Sequence, residues 1–256
     1  MRKHLSHHLI IQGIATVALV SLGVNRATAQ TVVASDTAAN YSGAGFTGNQ
    51  DQGFGFGTWV LSTSGGGSYI SGDAPPNFGI WNGAGNGSST AIRSFNSSLS
   101  VGQTFSVGLM FVNLDTSANR NALELEDSSG NVLFSYWHQG GDGADGHYTD
   151  AGVTGGVATG FAYDFQHLDS YSLTLTSATT YTFTDVTTSQ SINGTLAGTV
   201  SQVELLRAND SASAPSNGQD FKFNNLQITE VPEPTSLALV GVGAGLLFLM
   251  RRRPVV

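Results

Sequence analysis

Three observations predict an all-β chain built as a single β-sandwich of the jelly-roll kind. Short runs alternate apolar and polar residues, turn-forming residues separate those runs at regular spacing, and the body contains no run with the period of an amphipathic helix. Two-faced alternation requires two sheets packed on a shared core, because a single sheet would leave one apolar row in water.

The elements follow in order. In Gln103–Leu114 (QTFSVGLMFVNL), Phe105, Val107, Leu109 and Phe111 share one face, which is strand periodicity. Leu123 and Leu125 then alternate with Glu124 and Glu126. Ser128-Ser129-Gly130-Asn131 is a turn signal, and Val132–Trp137 completes a hairpin. Further strands are expected at Tyr171–Thr176, Tyr181–Val186, Ile192–Leu196, Val203–Arg207 and Phe221–Thr229, with roughly ten in all at turn spacing. The last of these is expected to pair back near an early strand, as a jelly roll does. Residues 30–50 and 208–219 read as loops, and Gly53-Phe54-Gly55-Phe56-Gly57 alternates like a strand. At fold level this pattern resembles the lectin-like, concanavalin-like sandwiches of many extracellular proteins.

Composition narrows the function. Charged residues make up 11% of the chain and glycine 33 of 256 residues, a mixture that favours turns and short strands over helices. The net charge is −8, but six of the ten basic residues lie in the terminal segments. Residues 30–230 carry four cations (Arg93, Arg120, Arg207 and Lys222) against 17 acids, or −13. Such a body repels a phosphate backbone, so nucleic acid is excluded as a partner. Cysteine is absent, which removes disulfides and Cys-ligated zinc.

Both ends read as addresses, so the expected organisation is a signal peptide (1–29), a sandwich domain (30–230) and a sorting or anchor segment (231–256). Arg2 and Lys3 precede the mostly apolar run Leu9–Leu22, and Ala27-Thr28-Ala29 is a small-x-small site. That order predicts a cleaved signal peptide and a mature start at Gln30. The other end reads Val231-Pro232-Glu233-Pro234-Thr235, then an apolar run from Ser236 to Met250, then Arg251-Arg252-Arg253. As a helix the run would reach roughly 22 Å, less than the roughly 30 Å of a hydrocarbon core, and the arginines would hold its end on the cytoplasmic side. Pro232-Glu233-Pro234, a short apolar helix and a terminal basic cluster resemble the PEP-CTERM sorting signal. The resemblance covers only about the last 26 residues. It implies transient anchoring in the inner membrane, processing by an exosortase-type membrane enzyme, and delivery to the envelope or the exterior of a cell that makes extracellular polysaccharide.

Three constellations are candidates for chemistry. Asp142, Asp145 and Asp150 lie in the Gly-rich run Gly140–Asp150, where hard oxygen ligands on a loop would suit Ca²⁺, though the spacing is not that of an EF-hand. Glu124 and Glu126 point to one face of a strand, as do the paired acids of sandwich-fold glycosidases. The strand lacks the third acid of the Glu-x-Asp-x-x-Glu pattern, and the pair is expected to face water. Trp59, Trp81 and Trp137, with Tyr69, Tyr136 and Tyr148, are candidates for a sugar-binding platform. No nucleophile elbow or His-Glu-x-x-His occurs, and His138, His147 and His167 have no metal-ligand spacing. The expectation is an exported, non-catalytic surface or matrix protein. The alternative is a polysaccharide-binding module, with or without calcium, ahead of a glycan-active enzyme.

Overall fold

The computed structural model describes residues 30–41, 45–82, 87–111, 119–141, 145–162, 167–209 and 220–231. Residues 1–29, Asp142 and the tail from Pro232 onward lie outside the described residues, so the expected signal peptide, the apolar run and the terminal arginines rest on the sequence alone. Gln30–Val231 forms one compact unit.

Two antiparallel sheets make a sandwich. The eight-stranded sheet contains β1 (Thr31–Asp36), β3 (Gly66–Ile70), β4 (Phe78–Asn82), β6 (Gln103–Met110), β11 (Asp169–Leu175), β12 (Thr180–Asp185), β13 (Gln190–Thr195) and β15 (Phe221–Glu230). Its order is β13-β12-β11-β6-β15-β4-β3, with β1 also pairing to β15. The seven-stranded sheet contains β2 (Phe56–Thr63), β5 (Gly87–Phe95), β7 (Asn119–Glu126), β8 (Val132–Gln139), β9 (Asp145–Thr149), β10 (Val157–Ala162) and β14 (Gln202–Asn209). Its order is β10-β9-β8-β7-β14-β5-β2.

The alternation that predicted the strands also decides their faces. Phe105, Val107 and Leu109 of β6 and Tyr171, Leu173 and Leu175 of β11 are buried, and so are Leu123 and Leu125 of β7 and Val203 and Leu205 of β14. Aromatic rings join the sheets: Phe134 lies 5.2 Å from Tyr181 and 4.8 Å from Phe183, and Tyr136 lies 5.1 Å from Phe183. Fully burying side chains of this size contributes roughly 1.5–3 kcal/mol each, which is the main force holding the layers together.

The predicted hairpin is β7–β8. Its turn is locked by the Asp127 carboxylate, which accepts from the backbone N–H of Ser129 (2.8 Å) and Asn131 (3.0 Å) and from Asn131 Nδ2 (2.8 Å). The predicted pairing of the last strand with an early one is the β15–β1 ladder, in which Thr31 faces Glu230.

Several expectations are corrected. There are fifteen strands among the described residues, not about ten. The eight runs read from the sequence are β6, β7, β8 and β11–β15. The missed strands include glycine- and serine-rich stretches such as GGSYI and GSSTAIRSF, whose strand state comes from ladder hydrogen bonds rather than local preference. Residues 31–36 are strand, not loop. Gly53 and Gly55 have φ of 88° and 79°, so that segment bends beneath β1 and becomes regular strand only at Phe56.

β1 is fastened from inside. Asp36 and Arg93 form an ion pair of 3.2 Å with both side chains fully buried. Asp36 Oδ2 also accepts from Tyr41 Oη (2.8 Å) and Trp59 Nε1 (3.1 Å), and the Arg93 guanidinium lies over the Trp59 ring at 5.1 Å.

Candidate functional site

On β7, Leu123 and Leu125 face the core, so Arg120, Ala122, Glu124 and Glu126 share the outer face of the seven-stranded sheet. β14 runs alongside in a register that sets Glu204 opposite Glu124 and Gln202 opposite Glu126. On the other side of β7, β8 sets Ser135 opposite Glu124 and Trp137 opposite Ala122. Three carboxylates from two strands that are distant in sequence therefore meet in one patch.

The glutamates do not face open water as expected: Glu124 is 8% exposed and Glu126 3%. Their neighbours hem them in. Ser135 Oγ donates to Glu124 Oε1 at 3.0 Å, and Arg120 reaches the same oxygen at 3.5 Å. Gln202 Nε2 donates to Glu126 Oε2 at 2.6 Å. Glu204 lies diagonal to Glu126 in the β14–β7 register.

Crowding three acids moves their protonation. Burial, and after it the charges of Glu126 and Glu124, push Glu204 up to about 7, with Arg120 pulling the other way. Burial foremost, with Glu124 and Asp127 adding to it, also raises Glu126, while the hydrogen bonds from Gln202 and Glu204 oppose the rise. Near neutral pH Glu204 is partly protonated, so beside Arg120 the patch carries both hydrogen-bond donors and acceptors.

Trp137 stands beside this patch with both neighbours stacked on it. Arg120 lies over its ring at 5.6 Å, and His147 of β9 stacks at 6.0 Å and 23°. The strand order β9-β8-β7 brings them from opposite sides. Trp137 therefore holds Arg120 in place beside Glu124.

The three tryptophans do not assemble into a platform. Trp59 is fully buried in the core. Trp81 is 41% exposed on the outer face of the eight-stranded sheet, whereas Trp137 is on the outer face of the other sheet. Tyr136 is buried, Tyr148 packs against the core, and Tyr69 donates to Asp220 at 2.6 Å.

Of the acidic loop, Asp145 is an exposed residue of β9. The carboxylate of Asp150 is taken up by the fold: it accepts from the N–H of Gly152 (2.8 Å), Val153 (2.8 Å) and Thr195 (2.9 Å) and from Tyr181 Oη (2.8 Å). It ties the end of β9 to β12 and β13 of the other sheet. Among the described residues no group of three His, Asp or Glu is arranged to hold a metal ion. His138 lies between the sheets, where Tyr136 Oη is 3.1 Å from its Nε2.

Sequence reasoning missed Glu204, Arg120, Ser135 and Gln202. The available signal was the similarity of Ala-Leu-Glu-Leu-Glu in β7 to Val-Glu-Leu-Leu in β14, in each of which a glutamate is flanked by core aliphatic residues. Their pairing was not readable.

The class defined by these features is an exported two-sheet β-sandwich protein. Its address is explicit: residues 230–253 match the PEP-CTERM protein-sorting motif. That motif is a substrate signal for exosortase, a membrane processing enzyme, and marks export by membrane-associated sorting to the cell envelope or the extracellular space. No helix among the described residues is long and apolar enough to cross a membrane. Among curated proteins nothing matches this sequence.

Solved structures show likenesses at low identity. A protein of unknown function from Shewanella oneidensis MR-1 has 9% identity and a TM-score of 0.49, covering 90% of this chain and 96% of its own. A glycoside hydrolase family protein from Mycobacterium thermorestibile has 10% identity and a TM-score of 0.49, covering 77% and 100%. A sialidase has 8% identity and a TM-score of 0.49, covering 68% of this chain, which spans only 17% of the sialidase. Nothing about this chain's chemistry follows from likenesses of this size.

Proposed function

We propose that this is a non-catalytic surface protein of the cell envelope or extracellular matrix that binds extracellular polysaccharide through the outer face of its seven-stranded sheet. The observation that carries this reading is the meeting of Glu124, Glu126 and Glu204 beside Arg120 in one patch. Sugars are recognised mainly through hydroxyl groups, which both give and accept hydrogen bonds, and a half-protonated carboxylate cluster with a guanidinium supplies both partners. The sorting tail supports the reading by sending the body to where such polymers are. The crossed strand order of the sandwich suits a jelly roll of the lectin-like kind. Calcium assistance through Asp142, Asp145 and Asp150 fits less well, since the hydrogen bonds to Asp150 already engage both of its oxygens.

The test is titration calorimetry of the purified full chain against a panel of soluble polysaccharides, with and without Ca²⁺. Binding heat that disappears in Glu126→Gln and Glu204→Ala supports the reading. A flat trace across the panel defeats it.

One observation favours a second reading, glycoside hydrolysis. Glu204, raised to about 7, stands opposite Glu124, and two facing carboxyl groups, one of them raised, are the arrangement that hydrolysis requires. Release of reducing ends that Glu204→Gln abolishes would establish it in place of simple binding.

A further inference from the structure

The eight-stranded sheet ends at β3, and there its outer face carries aromatic rings. Phe78, Ile80 and Asn82 of β4 are buried, so Gly79 and Trp81 lie on the outward side of that strand. Antiparallel pairing sets Trp81 opposite Gly67 and Tyr69 opposite Gly79. Each aromatic residue of one strand therefore meets a glycine of the other. Tyr69 and Trp81 are diagonal neighbours, about 7–8 Å apart at the backbone.

The two glycines let the rings lie across the neighbouring strand. A Cβ on Gly67 would stand 2.8 Å from Trp81 Nε1 and 3.0 Å from its Cε2. A Cβ on Gly79 would stand 2.5 Å from Tyr69 Cε1 and 2.8 Å from its Oη. A side chain at either position would lift the ring off the sheet. Aromatic cover of a facing glycine steadies an edge strand, and here it also fixes two rings in place before any partner arrives.

Polar groups border the rings. Tyr69 Oη donates to Asp220 Oδ2 at 2.6 Å, which holds a carboxylate beside the phenol. Lys222 of β15 stands opposite Gly79, with its Nζ 2.9 Å from Asp73 Oδ2. The result is a pre-set aromatic surface edged by carboxylates and an ammonium group.

That arrangement is the complement of a sugar ring. A pyranose whose substituents are all equatorial has two flat C–H faces and a girdle of hydroxyls. Its C–H face covers an aromatic ring, while the hydroxyls reach acceptors and donors at the border. Size agrees. Trp81 is 41% exposed, which leaves on the order of 100 Å² of indole open. That area seats a single sugar ring and falls far short of the roughly 800 Å² per partner of a stable protein interface.

We propose that Tyr69 and Trp81 form a seat for β-linked, gluco-configured pyranose units of a polysaccharide, with Asp220 and Lys222 engaging the hydroxyls. The seat lies on the other sheet from the carboxylate patch and does not depend on the reading given to that patch.

The experiment is titration calorimetry of the purified full chain with a hexamer of β-1,4-linked glucose. Tryptophan emission is followed in parallel, and every variant is melted. Trp81→Leu and Tyr69→Leu keep an apolar side chain over the glycine but remove the ring, whereas Trp81→Phe keeps a ring. Wild type is expected to bind, with affinity falling about 10-fold in each leucine variant and staying within about 3-fold in Trp81→Phe. Trp59 is fully buried, and Trp137 is stacked between Arg120 and His147, so an emission change in wild type reports Trp81. That signal, lost in Trp81→Phe, decides the matter even if a leucine variant melts early. Absence of binding by wild type overturns the proposal, as does wild-type affinity in both leucine variants. Loss of binding confined to Glu204→Gln also overturns it, because the hexamer then sits on the carboxylate patch. Self-association that Trp81→Leu abolishes, with no response to the hexamer, would make the rings a contact between copies of this chain and would equally overturn it.

Discussion

Glu204 of β14 stands opposite Glu124 of β7, and burial foremost, with the charges of Glu126 and Glu124, raises its carboxyl to about 7. The folded-state value of about 7 lies above the ordinary 4.5, so between those limits the native chain binds more proton than the unfolded one. By linkage, this group's contribution to stability is fully present below about pH 4.5 and is lost as pH rises to about 7. Glu204→Gln removes the titration. Its melting temperature should exceed that of wild type by roughly 2–4 °C at pH 7.5, after allowance for solvent screening, and the gap should close towards pH 5. A gap that widens on acidification would refute the assignment.

His138 acts in the opposite direction. Burial foremost, with His147 adding, lowers it from 6.5 to about 3. The native state therefore holds it neutral while the unfolded state takes up a proton. Its contribution is intact above pH 6.5 and falls away as pH drops towards 3. His138→Gln should cost stability at pH 8 through lost packing on Phe111, whose ring lies 4.5 Å away. The difference from wild type should shrink steadily between pH 6.5 and 4 in denaturant melts.

Removing either partner of the Asp36–Arg93 pair leaves the other charge buried without its fully buried counter-ion. Asp36→Ala should destabilise by about 3–5 kcal/mol, since it also removes the carboxylate that accepts from both Tyr41 Oη and Trp59 Nε1. Urea unfolding of Asp36→Ala, Arg93→Met and the double variant measures the coupling. Recovery in the double variant of at least 1 kcal/mol, by this estimate, is expected for a true pair.

Gly194 is required by close approach. A Cβ there would stand 2.1 Å from Asp150 Oδ2 and 2.5 Å from the Tyr181 ring. Gly194→Ala should therefore break the tie between the sheets at a cost of about 1–3 kcal/mol. Gly198→Ala, whose nearest contact would be the flexible Leu133 side chain at 3.1 Å, should cost less in the same melts.

The sorting motif makes a cellular prediction. Replacing Pro232 and Pro234 with alanine should leave the chain membrane-associated at its unprocessed mass, whereas wild type should appear in the envelope or the medium without its tail. Intact mass of each fraction reads the outcome directly.

The sequence by itself determined what depends on local order. Alternation of Phe105, Val107 and Leu109 marks a half-buried strand wherever it lies. Asp127 with Gly130 and Asn131 makes a turn from neighbouring atoms, and the tail is a linear address that needs no fold. What only the tertiary structure decided depends on register between distant strands. Alternation says that Glu124 and Glu126 share a face, but not that β14 will slide into place with Glu204 opposite Glu124, because the 79 residues of chain between those two carry no marker of that offset. The same limit hid the burial of Trp59, whose indole is positioned by Asp36 of β1, and the seating of Tyr69 and Trp81 over glycines of the facing strand. Each of those residues is ordinary on its own strand, and the pattern exists only once antiparallel pairing sets the strands side by side.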